Sequence, residues 1–283
     1  MKKALIIVFI TALMSGSFNV RTSAQSSNEL DNIYMKEHVV NRKPVAYPSI
    51  READIWWSVR IWRIVDLRER MNLPLYYPTT IMDDRYSLIN LFLHGIRYEG
   101  LTAYSPKNDD EFKVRYSTNE VLEAMGVSKD TTEVMNPITG MMEMKIIEND
   151  VKCDEVKQLL IKEQWYFDRN YSRLNVRIIG ICPIREYINN EGVVVKKQTF
   201  WINYNEARPL LACHEVFNAG NDALRRSFDD VFINRYFGSY IVKESNVYNN
   251  RQIDTYAVGI EAMLESERIK NSIFTLEHDM WEF

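Results

Sequence analysis

Apolar residues along this chain gather in dense runs whose spacing distinguishes helical from extended segments. Over 54–72, Ile55, Trp57, Val59, Ile61, Trp62, Ile64 and Val65 cover more than half a helix circumference at roughly 100° per residue. Arg60, Arg63 and Arg70 fall on the remaining stripe, beside Trp56 and Leu67. Asp54 can cap this helix and Pro74 can end it. A helix so apolar needs cover on several sides, from the domain core or from a partner. Helical spacing also predicts 86–97, a short helix over 119–125 with Thr118 as cap and Gly126 as stop, and 151–167. Asn136-Pro137-Ile138-Thr139-Gly140 reads as a turn, and Asp83-Asp84 as a turn or cap.

The period then changes. Residues 174–188 and 193–204 are rich in β-formers and are joined by Asn189-Asn190-Glu191-Gly192, which predicts a hairpin. Pro183 inside the first run implies an edge position or a bulge. Further on, Ser227 with Asp230 three residues later forms a capping box. The helix it opens carries Phe228, Val231, Phe232, Tyr236, Phe237, Tyr240 and Ile241, and a last helix spans 260–269. This order predicts an α+β fold, with helices flanking a small antiparallel sheet built on the central hairpin. Residues 51–283 form the single domain. The stretch 25–50, broken by Ser26, Ser27, Asn28, Pro44 and Pro48, reads as an extended N-terminal arm.

The first residues bear on compartment. Lys2 and Lys3 precede an apolar run over 4–14, and Thr22-Ser23-Ala24 supplies small residues for signal peptidase, so cleavage is expected after Ala24. The run is shorter than the roughly 20 residues a bilayer span needs. The expected new N-terminus is Gln25 and not cysteine, so no lipid anchor is expected there. Loss of 1–24 removes three basic residues and no acid, leaving 32 basic against 39 acidic side chains, a net charge of −7. That argues against a nucleic-acid surface. The chain holds 16 Tyr, 12 Phe and 6 Trp, side chains that serve cores and interfaces alike.

Little in the sequence points to catalysis. Cys213 and His214 are adjacent, yet neighbours on a helix point about 100° apart and cannot face each other. Glu277-His278-Asp279 lacks metal-ligand spacing, and His38 lies in the arm. No phosphate loop and no nucleophile elbow occur. Three cysteines, Cys153, Cys182 and Cys213, read as small buried hydrophobes; the odd count leaves at least one outside any internal disulfide. No catalytic, cofactor or metal residues are therefore assigned. A free periplasmic enzyme and a ligand-binding protein are the alternatives to a structural role.

Four segments resemble the GldN/PorN family: READIWWSVRIWRIVDLRERMN at 51–72, NEARPLLACHEVFN at 205–218, SFDDVFINRYFGSYIVKESNVYNNRQI at 227–253 and EHDMWEF at 277–283. The resemblance implies a periplasmic component of the type IX secretion system, which exports proteins across the outer membrane and supports motility in gliding species. It implies a ring built with a GldK/PorK-like lipoprotein beneath the outer membrane, contact with the GldM/PorM-like motor component, self-association within the ring, and no catalytic residues. The candidate interface residues are Trp56, Trp57 and Trp62 as aromatic anchors, Arg60 and Arg63 beside them, and Tyr248, Asn249 and Arg251 in a polar loop. Exchange of Arg60 and Arg63 for Glu is expected to spare the fold and weaken assembly.

Overall fold

The computed structural model describes residues 41–280, apart from 83–84, 108–110, 128, 136–141, 149–150, 190 and 222. The expected signal peptide, the first part of the arm with His38, Asp83-Asp84, the 136–140 turn and the last three residues lie outside the described residues.

After a 3-10 turn at Glu52–Asp54 the chain forms β1 (Ile55–Asp66), then α1 (Leu73–Tyr76) and α2 (Leu88–His94), which continues as a π turn over Gly95–Glu99. There follow β2 (Ala103–Tyr104), β3 (Arg115–Tyr116) and α3 (Thr118–Ala124), and a separate hairpin of β4 (Lys129–Met135) and β5 (Met142–Glu148). Four strands come next: β6 (Val156–Asp168), β7 (Arg173–Ile188), β8 (Val194–Gln198) and β9 (Trp201–Asn203). The remainder is α4 (Tyr204–Cys213), the pair β10 (Glu215–Val216) and β11 (Arg226–Ser227), α5 (Phe228–Ile233), β12 (Tyr240–Glu244) and α6 (Ile260–Asp279). Eight strands make one sheet in the order β12-β1-β6-β7-β9-β2-β3, with β8 also on β7, every pair antiparallel.

The α+β class stands, but the sheet is much larger than one hairpin. Two segments read as helices, 54–72 and 151–167, are the long strands β1 and β6. The first half of β1 alternates, with Trp56, Ser58 and Arg60 exposed and Trp57 and Val59 turned inward. From Ile61 to Val65 both faces carry apolar residues, because the sheet is covered on both sides there. A strand buried on two faces loses its alternation and imitates a buried helix; its Ile, Val and Trp content is the signal that favours β. The hairpin is confirmed as β7 and β8. Pro183 is not on a sheet edge: it pairs Leu159 of β6, and its carbonyl accepts from Thr199 N at 3.0 Å. Since N and O of one strand residue point the same way, the missing N–H faces the irregular junction between β8 and β9, where no ladder bond is lost.

The helices both expected and found, α2, α3, α5 and α6, start within two residues of the sequence reading, whereas α1 and α4 have no counterpart in it. Ser227 and Asp230 close the expected capping box on α5. The cap of α3 is Ser117 with Glu120, one residue before Thr118. The helix expected to reach Ile241 stops at Ile233; Arg235 takes a positive φ of 56° and the chain returns to the sheet as β12. The last helix extends to Asp279, past 269.

The main core packs α2, α4 and α5 against the sheet through Phe92, Ile161, Ile181, Phe200, Leu211 and Phe232. A second cluster on the sheet joins Trp62, Leu160, Cys182, Ile184, Trp201 and Val242. Phe112 packs on it, edge-on to Tyr104 and Trp201. Gly180 permits that approach, since a Cβ there would fall 2.5 Å from Phe112 Cζ. A third cluster seats α6 through Ile269 and Ile273 on Ile61 and Ile241.

Candidate protein-interaction surface

The eight sequence candidates separate by burial. Trp56 is 59% exposed and meets the edge of Phe167, at 6.3 Å between ring centroids. Trp57 is half-buried against the α6 cluster. Trp62, 4% exposed, lies inside the second cluster with Lys162 and Lys243 over its ring. Trp62 therefore offers no free surface as an anchor.

Arg63 is also withdrawn from the surface, at 8% exposure. Its Nε lies 3.2 Å from Glu163 Oε2, out of hydrogen-bond alignment, while Arg235 donates to Glu163 Oε1 at 2.8 Å. Trp165 Nε1 donates to Glu163 Oε2 at 3.0 Å, and both guanidinium groups stand over its ring. Burial lowers the Arg63 pKa and Glu163 opposes that shift. This is a closed charge centre that joins β1, β6 and the turn after α5. The expectation that Arg63 could become Glu without harm to the fold is corrected: an acid there would face buried Glu163.

Arg60 differs: it is exposed, and its main chain ends the β1–β12 pairing. Its N–H donates to Ser245 Oγ at 3.2 Å, and its carbonyl accepts from Ser245 N at 2.9 Å. β12 pairs only Ile61 to Ile64. By the two-residue period, Ser58 main-chain groups point to the same side, where no strand of the described residues follows. Among the described residues, half of β1 therefore presents an open edge next to exposed Trp56.

The chain leaves Ser245 into the candidate loop. Asn250 Oδ1 accepts from Asn246 N, and Asn246 Oδ1 from Tyr248 N, each at 3.0 Å. Asn249 and Asn250 both take positive φ, 56° and 53°, which asparagine tolerates better than most residues. Tyr248 is 64% exposed. Arg251 lies over the rings of both Tyr248 and Tyr256, and Tyr256 Oη donates to Glu265 on α6 at 3.2 Å. Beside these, Val258, Ile260, Met263 and Leu264 expose apolar side chains at the start of α6. Among these, Arg60, Tyr248, Arg251 and Tyr256 are linked by contacts or short chain segments. The exposed start of α6 is a feature sequence reading missed. Its apolar residues recur at i, i+3 and i+4, spacing that marks a helix face without showing whether the core covers it.

A further surface lies where the arm ends. Segment 41–50 has no secondary structure and lies across α5, α4 and β7. Arg42 grips Asp230 with two bonds, 2.5 and 2.8 Å. Arg208 donates to the Val45 carbonyl and Arg177 to the Pro48 carbonyl. The Tyr47 ring lies under both guanidinium groups, at 4.1 Å from Arg208 and 4.7 Å from Arg177. Arg208, 6% exposed, is held by Asp229, which also accepts from Tyr204 Oη at 2.7 Å. Burial pushes the Tyr204 phenol up, Asp229 adds to that, and the hydroxyl stays a donor.

The thiols and the imidazole nearest to a catalytic pattern are occupied separately. Cys213 Sγ lies 3.4 Å from the Arg42 carbonyl, and burial raises its pKa. His214 Nδ1 contacts Leu210 O at 3.0 Å, with its ring against Tyr86. Cys153 contacts Asn90 Oδ1, and burial pushes its thiol up to about 11. No disulfide joins any of the three cysteines, and Cys182 is fully buried. Among the described residues no group of three or more His, Cys, Asp or Glu could hold a metal ion. An open groove of about 750 Å³ is lined by Lys107, Glu120, Glu123, Lys196 and Lys197, among others. Among the described residues no helix is long and apolar enough to cross a membrane.

The sequence matches the model of one protein family, described as gliding motility associated protein GldN, over residues 50–282. No curated protein matches the chain.

Proposed function

The chain belongs to the GldN family of gliding motility associated proteins, and from that premise we propose that it is a non-enzymatic scaffold of the type IX secretion system. The family match over residues 50–282 carries this reading. The chain is exported by a signal peptide cleaved after Ala24 and works in the periplasm. It assembles into a ring with a GldK/PorK-like lipoprotein at the inner face of the outer membrane, and it meets the periplasmic part of a GldM/PorM-like motor component. The ring supports protein export, and gliding where the host glides.

The surface supports a role in assembly. An open strand edge can accept an extended segment, and exposed aromatic residues beside it can anchor a partner. Trp56, Arg60, Tyr248, Asn249 and Arg251 are the residues assigned to contacts, with the apolar start of α6 added to them. Trp57, half-buried, supports the strand from beneath. Deletion of the gene tests the reading: secreted cargo should accumulate in the periplasm, and re-expression should restore export. Normal export without the protein would refute it.

A further inference from the structure

The two long faces of α6 are treated differently by the fold. Ile269 and Ile273 bury one face against the sheet, with Ala262 half-buried beside them. A second stripe, about 120° around the axis, stays open. It runs Ile260, Met263, Glu267, Lys270 and Phe274, with gaps of three, four, three and four residues. That spacing keeps the stripe within about 80° of the circumference. Its three apolar members are 66–77% exposed, and the Glu267 and Lys270 side chains are 56% and 60% exposed. Lys270 Nζ meets Glu267 Oε1 at 3.1 Å within the helix, so two opposite charges sit at the middle of the seam. Alternating gaps of three and four make the seam along which helices pair, and polar residues inside such a seam select register and direction.

We propose that α6 pairs antiparallel with α6 of a second copy, about a two-fold axis that crosses the seam between Glu267 and Lys270. In that register each Glu267 faces Lys270 of the second copy. Met263 faces Phe274, and at the helix ends Ile260 faces the stem of Glu277. The charges disfavour the alternatives. A parallel pair in register would set Glu267 on Glu267 and Lys270 on Lys270. An antiparallel pair displaced by one heptad would set Glu267 on Met263 or on Glu277. The chosen register answers both charges and sets apolar on apolar beside them. The clusters that seat α6 lie on its Ile269 side, away from the seam, so a second copy can approach. Such a contact is isologous and closes at two copies. It therefore goes beyond the scaffold reading: it adds a pairwise link and does not itself propagate a ring.

Reciprocal charge reversal tests the pairing, read by sedimentation velocity on the exported chain at about 100 μM, a concentration suited to a short seam. The parent chain should sediment as a dimer. Glu267→Lys and Lys270→Glu each turn two attractive pairs into repulsive ones and should weaken the dimer about tenfold. Both should keep the urea midpoint of the parent, since both side chains are exposed. An equal mixture of the two variants should recover the dimer, because in a mixed pair each residue at 267 again faces an opposite charge at 270. A monomeric parent overturns the proposal. So do variants that dimerise as the parent does, which would place self-association elsewhere. A mixture that stays monomeric overturns it too, because the antiparallel register is then wrong. Ring formation with the lipoprotein partner is imaged separately, so loss of the α6 pair leaves the scaffold reading standing.

Discussion

Arg60 and Arg63 lie three residues apart on β1, yet charge reversal at each should give opposite results. Arg63→Glu removes one of the two cations facing buried Glu163 and puts a second carboxylate near it. At the observed 3.2 Å separation, a unit charge pair at an effective dielectric of about 20 is worth about 5 kcal/mol. Breakage of buried ion pairs costs about 3–5 kcal/mol. Arg235 remains to neutralise Glu163 in part, so we expect about 3–4 kcal/mol. Against a total stability of about 5–15 kcal/mol this is a large loss. Arg60→Glu changes an exposed side chain and leaves the main-chain bonds to Ser245 in place, and should cost within about 0.5 kcal/mol. Urea unfolding followed by tryptophan fluorescence reads both, with Trp165 sitting in the charge centre. With a slope of about 2 kcal/mol/M, Arg63→Glu should lower the midpoint by about 1.5–2 M and Arg60→Glu by less than about 0.3 M. A shift below about 0.5 M for Arg63→Glu would refute the view that Glu163 is the anionic centre of a closed structural unit.

Other outcomes follow from the same structure. Asp66 is held at a pKa of about 2 by hydrogen bonds from Arg68, so its contribution is present above the ordinary carboxylate range and lost as pH falls from about 4 to 2. Because Arg68 is solvent-screened we expect about 1 kcal/mol; the stability gap between the wild-type chain and Arg68→Ala should close on acidification, and a gap constant with pH would contradict this. Gly180→Ala would bring a Cβ within 2.5 Å of Phe112 and 2.9 Å of the Ile202 carbonyl, at a cost of about 1–3 kcal/mol in thermal or urea unfolding; an unchanged midpoint would show that the segment over the second cluster adjusts freely. Trp56→Ala should leave the unfolding free energy within about 0.5 kcal/mol of the parent yet weaken capture by the lipoprotein partner; equal capture would remove the β1 edge from the interface.

What the sequence revealed tracks how local each determinant is. The Ser227–Asp230 box, the hairpin about 189–192 and the start of α6 depend on neighbours in the chain, and all were legible. β1 and β6 were misread because both their faces are covered, a fact supplied by α6, Phe112 and Trp201 from distant parts of the chain. The same non-local cover decides the candidate site. Trp56 and Trp62 look alike in sequence, but only Trp62 is enclosed by β12 and the second cluster. Arg63 was misplaced because its partners, Glu163 and Trp165, are a hundred residues away. The arm was recognised as extended, but its grip on Arg177 and Arg208 could not be read without the fold.

The most direct test of the scaffold account is co-expression of the exported chain with the lipoprotein partner, affinity purification of either, and negative-stain imaging. The account predicts large rings that contain both proteins. A stable monomer that leaves the partner unbound would contradict it.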